Sequence, residues 1–178
     1  MTDKEISKII LDMVIICDTR ERKNKHIIDY LDKNNISYIS EKLDTADYSY
    51  ILPNYPELKL DRSILIGKKN SLDEIAGNFT KERERFKREF ERVGDAKIHL
   101  VIENTTWKKV VHGSYRSQFS PQAMIASLLT WNIRYNCPIW FVGKDETGEL
   151  IYNILHYELL EQLKGLRNNE GVAQTINI

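Results

Sequence analysis

The alternation of apolar and polar segments predicts an α/β fold in which a mixed central sheet is flanked by helices. Short apolar runs bounded by turn residues indicate buried strands, and longer segments with apolar residues three or four positions apart indicate helices. The two kinds of segment alternate after a start that contains three strands, which is typical of layered α/β proteins. With 178 residues, 42% of them hydrophobic, the chain suits a single domain, residues 1–178.

The first half of the chain is predicted to supply much of the sheet. Residues 4–12 are charged and periodic, as in a short helix, and Val14–Cys17 is an apolar strand that ends at Asp18. Apolar residues recur at helical spacing over 26–34, and prolines mark a loop over 53–62. The remaining predicted elements are strands over 37–43 and 46–52, joined by a tight turn at Asp44 and Thr45, and a central strand over 63–69.

The second half of the chain alternates helices with strands. Ser71 and Glu74 form a capping box that predicts a helix start, and Pro121 after Ser120 marks another. Gly165 is predicted to end the last helix. In chain order we expect helices from Ser71 and over 81–93, a strand over 97–103, a helix over 120–135, a strand over 139–142, a helix over 149–164 and a flexible tail over 167–178.

Composition limits the classes of function. No apolar run reaches the ~18 residues of a membrane span, and the charged N-terminus lacks a signal-peptide core, so we expect a cytoplasmic protein without a membrane partner. Cys17 and Cys137 are predicted to be buried free thiols, and the cysteines and histidines show no zinc spacing. The formal net charge is zero, so nucleic-acid binding would require a local basic patch. Abundant Ile, Lys and Asn suggest a bacterial or phage source.

Four acidic or basic residues lie at or near predicted strand and helix ends. Asp18 follows the first strand, Asp47 lies in the third, Lys69 ends the central strand, and Asp73 lies in the first turn of the next helix. Each alone has an ordinary interpretation, as a turn residue, a surface strand residue, a solvated lysine or a helix N-terminal acid. Because ligand sites in α/β folds lie at the carboxyl ends of strands, their order and spacing together are more informative.

Three short segments carry a family resemblance. Asp18-Thr19-Arg20-Glu21 has the form Asp-x-Arg-Glu, Ala46-Asp47-Tyr48 is similar to Gly-Asp-Tyr, and Gly67-Lys68-Lys69 with Asp73 is similar to Glu-Arg-Lys-x-x-x-Asp. Together they resemble the motifs of the XPF-type structure-specific nuclease family. The resemblance covers about residues 13–145 in the right order, with departures at Ala46, Gly67 and Lys68.

This resemblance implies a restriction-endonuclease-like core that cuts branched or flapped DNA with Mg²⁺ or Mn²⁺, as in DNA repair and recombination. It implies that Asp18 and Asp47 bind the metal ion and that Lys69 polarises the attacking water or the scissile phosphate. It also implies that Asp73 supports the site through hydrogen bonds, while Arg20 and Lys68 contact phosphate oxygens. Members of the family work as dimers, so a homodimer or heterodimer is implied as well.

Position 67 carries the departure with the largest consequence, because Gly67 replaces the catalytic glutamate. Alternate strand residues share a face, so position 67 and Lys69 point to one side and Lys68 to the other. Mg²⁺ is usually held by one or two carboxylates, and losing ~4–5 kcal/mol of transition-state stabilisation slows a reaction about a thousandfold or more. We therefore predict little or no activity. A degenerate natural nuclease and a glycine introduced by one base change both fit.

Two function classes follow from these residues. The first is a metal-dependent, structure-selective DNA endonuclease that Gly67 disables. The second is a non-catalytic pseudonuclease that acts as a DNA-binding or scaffold subunit beside an active partner. A third interpretation, a small α/β domain unrelated to nucleic acid, is supported only by the zero net charge.

Further residues are candidates for contacts with DNA or with a second subunit. The aromatic-basic stretch 107–116 suits unpaired bases, with an ordinary surface loop as the alternative. The alternating charges of 81–85 indicate a solvated helix face. The additional candidates for DNA contact are Arg22, Lys23, Lys108, Lys109 and Arg116. The candidates for either a dimer interface or core packing are Met124, Leu128, Trp131, Ile154, Leu155 and Leu159.

Overall fold

A six-stranded mixed sheet lies at the centre of the structure, a computed structural model that describes the backbone of residues 1–176. Within these residues the strands are β1 (Val14–Cys17), β2 (Tyr38–Ser40), β3 (Tyr48–Ile51), β4 (Ile64–Lys69), β5 (Lys97–Glu103) and β6 (Ile139–Val142). The helices are α1 (Asp3–Leu11), α2 (Lys25–Lys33), α3 (Leu72–Phe79), α4 (Arg83–Glu91), α5 (Trp107–Val111), α6 (Pro121–Tyr135) and α7 (Thr147–Ile176). Residues 177 and 178 of the predicted tail lie outside the described residues.

The strands lie in the order β2-β1-β3-β4-β5-β6, and this helix-flanked mixed sheet confirms the predicted fold class. β3 runs antiparallel to both of its neighbours, β1 and β4. The pairs β1–β2, β4–β5 and β5–β6 are parallel, which requires crossover connections between their strands. β4 therefore lies in the interior of the sheet, between β3 and β5.

Two apolar cores occupy the opposite faces of this sheet. Residues of α1, α2 and α7 pack on one face, and residues of α3, α4 and α6 pack on the other. Along β4, Ile64 and Ile66 join the first core while Leu65 joins the second, because successive strand residues point to opposite faces. In the second core Trp131 stacks on Phe86, with ring centroids 5.4 Å apart and an interplanar angle of 11°. This contact holds α4 against α6.

The predicted pairing of two neighbouring strands through a tight turn at Asp44 and Thr45 is wrong. β2 and β3 are separated in the sheet by β1, which pairs with both of them. The connecting segment passes the end of β1, and Ala46 has a left-handed backbone with φ of +69°. Because a left-handed residue cannot continue an extended strand, β3 begins only at Tyr48.

Two helices differ from the sequence prediction. α5 forms within a segment predicted as a loop, where the Thr106 hydroxyl caps the helix by accepting a hydrogen bond from the Lys109 N–H. α7 continues through Gly165 to residue 176, so the predicted helix end is wrong and the predicted tail is helical over its described part. A glycine inside a helix costs only about 1 kcal/mol relative to alanine, and buried Leu159 and Leu163 anchor the preceding turns.

The apolar residues considered for a dimer interface belong to the core. All of them are buried within the single chain: Met124, Leu128, Trp131, Ile154, Leu155 and Leu159. For these side chains the structure shows core packing, which is one of the two alternatives that the sequence left open.

The two cysteines, Cys17 and Cys137, are buried free thiols, as predicted. Burial raises the thiol pKa to about 11 at Cys17 and to about 12 at Cys137, so both remain protonated near neutral pH. Each therefore packs as a small apolar side chain. A separate finding is that residues 1–176 contain no helix with the length and apolarity that crossing a membrane requires.

Candidate functional site

A cavity of about 650 Å³ lies between the sheet and α4. Asp47, which directly precedes β3, lines it together with Gly67 and Lys69 of β4. Position 67 and Lys69 thus open to the same side of the strand, as its alternation predicted. Of the predicted catalytic positions Asp18, Asp47, Gly67 and Lys69, the last three therefore meet in one cavity, and Asp18 does not line it.

The Asp47 carboxylate is partly buried in this cavity and is held by backbone groups. Its Oδ2 accepts a hydrogen bond of 2.6 Å from the Lys68 backbone N–H. The Asp47 N–H donates to the Ile66 carbonyl at 2.9 Å, and the Asp47 carbonyl accepts from the Asp18 N–H at 2.8 Å. Burial raises the pKa of Asp47 to about 6, although the Lys69 ammonium and the Lys68 N–H both lower it. Such perturbed carboxyl groups are concentrated at functional sites.

Ala46 occupies the position at which the similar motif has glycine, and the backbone explains that preference. Its φ of +69° lies in the left-handed region, where a residue with a Cβ atom carries a cost of roughly 1–2 kcal/mol. The chain keeps this conformation in the residue directly before Asp47. The turn that presents Asp47 is therefore retained despite the substitution.

The Asp18 carboxylate lies beside this turn but is fully occupied by protein donors. Arg20 donates three hydrogen bonds to it, from its backbone N at 2.8 Å, Nε at 2.8 Å and Nη2 at 2.9 Å, and the Leu43 N–H donates a fourth at 2.7 Å. Burial would raise the pKa of Asp18, but these hydrogen bonds outweigh burial and hold the pKa below its usual value. Asp18 therefore fixes Arg20 and the segment before β3, and no carboxylate oxygen remains without a donor.

Lys69 and Lys68 point to opposite faces of the sheet. The Lys69 Nζ lies at the cavity, 5.2 Å from the centroid of the Phe86 ring. The Lys68 side chain is buried behind the sheet, where its Nζ lies 3.7 Å from a Glu103 oxygen and 3.9 Å from a Glu21 oxygen. Lys68 is only 2% exposed, and its contact with DNA phosphates stays a prediction.

Gly67 has room for a side chain. It pairs in register with Leu100 of β5, and its φ lies outside the left-handed region that favours glycine. A Cβ atom added there would meet only the Leu100 Cδ1 at 3.8 Å and the His99 carbonyl at 4.0 Å, which are ordinary van der Waals contacts. A longer side chain would enter the cavity beside Asp47 and Lys69. Neither backbone conformation nor packing requires a glycine at this position.

Asp73 connects α3 to a distant loop. Its Oδ1 accepts hydrogen bonds from the backbone N–H groups of Arg116 at 2.8 Å and Ser117 at 2.9 Å. The Arg116 Nε lies 3.5 Å from Asp73 Oδ2. Asp73 thereby ties the loop between α5 and α6 to the first turn of α3, a supporting contact of the kind that the family resemblance implies.

The other basic candidates lie on the surface outside the cavity. Within the described residues, Arg20 is the predicted DNA-contact residue that lines the cavity. The exposed candidates away from its lining are Arg22, Lys23, Lys108, Lys109 and Arg116. The Lys109 Nζ donates a hydrogen bond of 2.9 Å to the Asn104 carbonyl, so the protein already uses one donor of this ammonium group.

α4 contributes cavity residues that the sequence interpretation missed. Arg85, Arg88 and Arg92 line the wall opposite β4. The alternating charges of residues 81–85 had indicated only a solvated helix face. The spacing of three and four residues between these arginines places them on one side of the helix, and that regularity was the available signal.

Positive charge dominates the lining of the cavity. Acidic side chains are contributed by Asp44, Asp47 and Glu89, and basic ones by Arg20, Lys69, Arg85, Arg88 and Arg92. Guanidinium groups form strong charge-assisted hydrogen bonds with phosphate oxygens. Since the whole chain has no net charge, this local excess favours an anionic ligand at the cavity.

The residues present do not form a set of ligands for a divalent cation. Mg²⁺ requires near-octahedral oxygen coordination, with one or two carboxylates supplemented by water and phosphate. Asp18 is saturated by donors, one Asp47 oxygen is bound to a backbone N–H, and Gly67 offers no side chain. In the described part of the chain, no group of three or more His, Cys, Asp or Glu side chains could hold a metal ion. The role of Asp18 and Asp47 as metal ligands stays a prediction.

Known proteins similar to this chain share its fold. The ERCC4 domain matches residues 17–154. The structure of XPF from Aeropyrum pernix is similar, with a TM-score of 0.60 and 16% identity over 82% of this chain and 61% of that chain. For XPF from Aeropyrum pernix in complex with DNA, the TM-score is 0.59 and the identity 16%, over 81% of this chain and 63% of that chain. The chain thus spans less than two thirds of these structures, and no curated protein sequence matches it.

Proposed function

Because the chain belongs to the ERCC4 domain family, we propose that it is a structure-selective DNA nuclease domain whose strand cleavage is disabled by Gly67. Branched or flapped DNA is the proposed substrate class, and the basic cavity would receive a backbone phosphate. The observation that carries the proposal is the free space at Gly67, which lines the cavity with Asp47 and Lys69 and where an added Cβ atom would meet only ordinary van der Waals contacts.

The cavity contains some of the charged groups that phosphodiester hydrolysis requires. The family generally uses divalent metal ions, and Mg²⁺ or Mn²⁺ would supply an activated water and neutralise charge on the phosphate. Lys69 and Arg20 offer positive charge to a phosphate group, and Asp47 offers one carboxylate. A second carboxylate at position 67 is missing, so the chain would bind DNA backbone without cutting it.

The decisive test compares Gly67→Glu with Gly67→Gln, since the two side chains have nearly the same size and differ in charge. We expect the unaltered chain and Gly67→Gln to leave forked and flapped DNA intact with Mg²⁺ or Mn²⁺. Gly67→Glu should cut these substrates and spare linear duplex. Calorimetric titration with Mn²⁺ provides a separate readout, in which only Gly67→Glu should show a new binding site.

A folded Gly67→Glu variant that binds Mn²⁺ and still leaves branched DNA intact would contradict the silenced-nuclease proposal. Thermal unfolding monitored by circular dichroism establishes that each variant is folded. The same preparations, tested for forked-DNA binding in EDTA, separate a failure of catalysis from a failure to bind DNA.

A non-catalytic subunit is the second candidate function, and the state of Asp18 favours it. All donors around Asp18 come from Arg20 and Leu43, so its carboxylate serves the fold. In this case the chain would hold DNA while a partner subunit cuts it. Binding of forked DNA by the unaltered chain, together with inactivity of Gly67→Glu, would support this function.

We propose dimerisation through the open edge of β6, either with a second copy or with a related subunit. β6 pairs only with β5 among the described strands. Trp140 on β6 is 39% exposed, and Leu129 and Ile133 on α6 are 51% and 80% exposed. Light scattering should show a dimer that Ile133→Glu dissociates, and a monomer at tens of micromolar would contradict the homodimer.

A further inference from the structure

We propose that α4 and the segment before β3 form a phosphate-binding track that holds one DNA strand across the mouth of the cavity. The track is defined here as Lys42 in the segment before β3, Arg88 on α4 and Arg92 at the C-terminal end of α4. It rests on the proposed function, because it specifies the surface that positions the DNA backbone beside position 67.

Three adjoining depressions make the track continuous. Arg88 lines the 650 Å³ cavity and also a groove of about 620 Å³ along the first turns of α4. Arg92 lines the cavity on its other side and also a groove of about 560 Å³ that it shares with Arg20, Lys42 and Asp44. A strand lying along these grooves would pass over Asp47, Gly67 and Lys69.

The other arginines of α4 are already used within the protein. Arg85 forms ion pairs with Glu82 at 2.7 Å and Glu89 at 3.6 Å. Arg83 donates to the Phe79 carbonyl at 3.3 Å and lies 5.5 Å from the Trp131 ring. These contacts give Arg83 and Arg85 structural roles.

Arg88, Arg92 and Lys42 differ from them in having no internal partner. Among the described residues, none of these three side chains forms an ion pair or a side-chain hydrogen bond, and all three are exposed. Cations that are left unpaired by the protein bind an anionic ligand without first breaking an internal contact. Arginine in addition presents a planar pair of donors that matches two oxygens of one phosphate.

The spacing of the two arginines suits a polynucleotide. Arg88 and Arg92 are four residues apart, which is about 6 Å along a helix, and they lie on the same face. One strand of duplex DNA carries a phosphate about every 3.4 Å along the axis, so the pair spans roughly two phosphates.

The experiment measures anisotropy of labelled forked DNA in EDTA at several salt concentrations. The test variant is the double substitution Arg88→Gln with Arg92→Gln. The matched control is Arg134→Gln with Lys144→Gln, which removes two exposed positive charges outside the three depressions. Both variants remove two positive charges. A difference between their DNA affinities or salt slopes therefore depends on where the charges lie and not on the total charge.

We expect the Arg88/Arg92 variant to lower the slope of log K against log salt by about 1.4–1.8, since each lost phosphate contact contributes about 0.7–0.9. The control should keep the slope of the unaltered chain. Equal slopes for the test variant and the control would overturn the track while leaving the proposed function in place. Absence of forked-DNA binding by the unaltered chain would overturn both. Circular dichroism melting of each variant shows that the fold is intact.

Discussion

Replacing Asp47 with asparagine should make the stability of this protein less dependent on pH. Burial raises the pKa of the native Asp47 carboxyl from 3.8 to about 6. Between about pH 4 and pH 6 the native carboxyl therefore binds a proton that the unfolded chain has released. Because the native state binds more protons in this window, the free energy of unfolding falls as pH rises through it. Above about pH 6 the full cost of the buried charge is present.

The size of this effect follows from the pKa difference. The difference between a pKa of 3.8 and a pKa of about 6 corresponds to about 3 kcal/mol of unfolding free energy. Asparagine cannot ionise, but its Oδ1 can still accept the hydrogen bond from the Lys68 N–H. We therefore expect Asp47→Asn to match the unaltered chain at pH 4 and to exceed its stability by about 3 kcal/mol at pH 7. For a chain of this size each kcal/mol shifts Tm by roughly 2–4 °C.

The assay is urea unfolding followed by circular dichroism at pH 4, 5, 6 and 7. All other titrating groups are common to both proteins, so the difference between the two unfolding free energies isolates Asp47. A difference that stays constant across this range would refute the reasoning. So would an Asp47→Asn variant less stable than the unaltered chain at pH 7, because the buried carboxylate would then be stabilising in its charged form.

Three further substitutions test the left-handed backbone at Ala46, the continuity of α7 at Gly165 and the loop that Asp73 holds. Ala46→Gly should relieve the left-handed strain and raise the unfolding free energy by roughly 0.5–1 kcal/mol in urea titration; a loss of stability would contradict the strain. Gly165→Ala should also raise the unfolding free energy by roughly 0.5–1 kcal/mol, because α7 continues through this exposed position and an added Cβ atom meets no other atom there. An unchanged unfolding free energy would argue against a continuous helix. Asp73→Ala should accelerate amide exchange at Arg116 and Ser117 by about tenfold or more, because both N–H groups lose a carboxylate acceptor; unchanged exchange would contradict that tie.

Local patterns predicted much of the sheet from the sequence. The apolar runs Val14–Cys17, Lys97–Glu103 and Ile139–Val142 are strands with the predicted bounds. Each combines apolar character with short length, and neither property depends on the rest of the fold. Local patterns do not predict which strands lie next to each other in the sheet. The parallel pair β1–β2, for example, joins two segments that α2 separates along the chain. A turn signal at Asp44 and Thr45 carries no information about the strand that lies between.

At the site, too, features set by neighbouring residues could be predicted from the sequence, and features set by distant elements could not. Strand alternation correctly separated Lys69 from Lys68 along β4, but the burial of Lys68 depends on Glu21 and Glu103, which other elements supply. The engagement of Asp18 by Arg20 is local, since only Thr19 separates them, and the Asp-x-Arg spacing would have allowed this ion pair to be predicted. The position of Arg88 at the cavity depends on how α4 packs against the sheet.

The structure does not require a glycine at position 67. A glycine is required where φ is positive or where another backbone approaches closely, and neither condition holds here. In a strand interior it sacrifices about 0.5–1 kcal/mol of stability relative to a residue with a side chain. Because a Cβ atom added at position 67 would meet only ordinary van der Waals contacts, Gly67→Ala should be at least as stable as the unaltered chain.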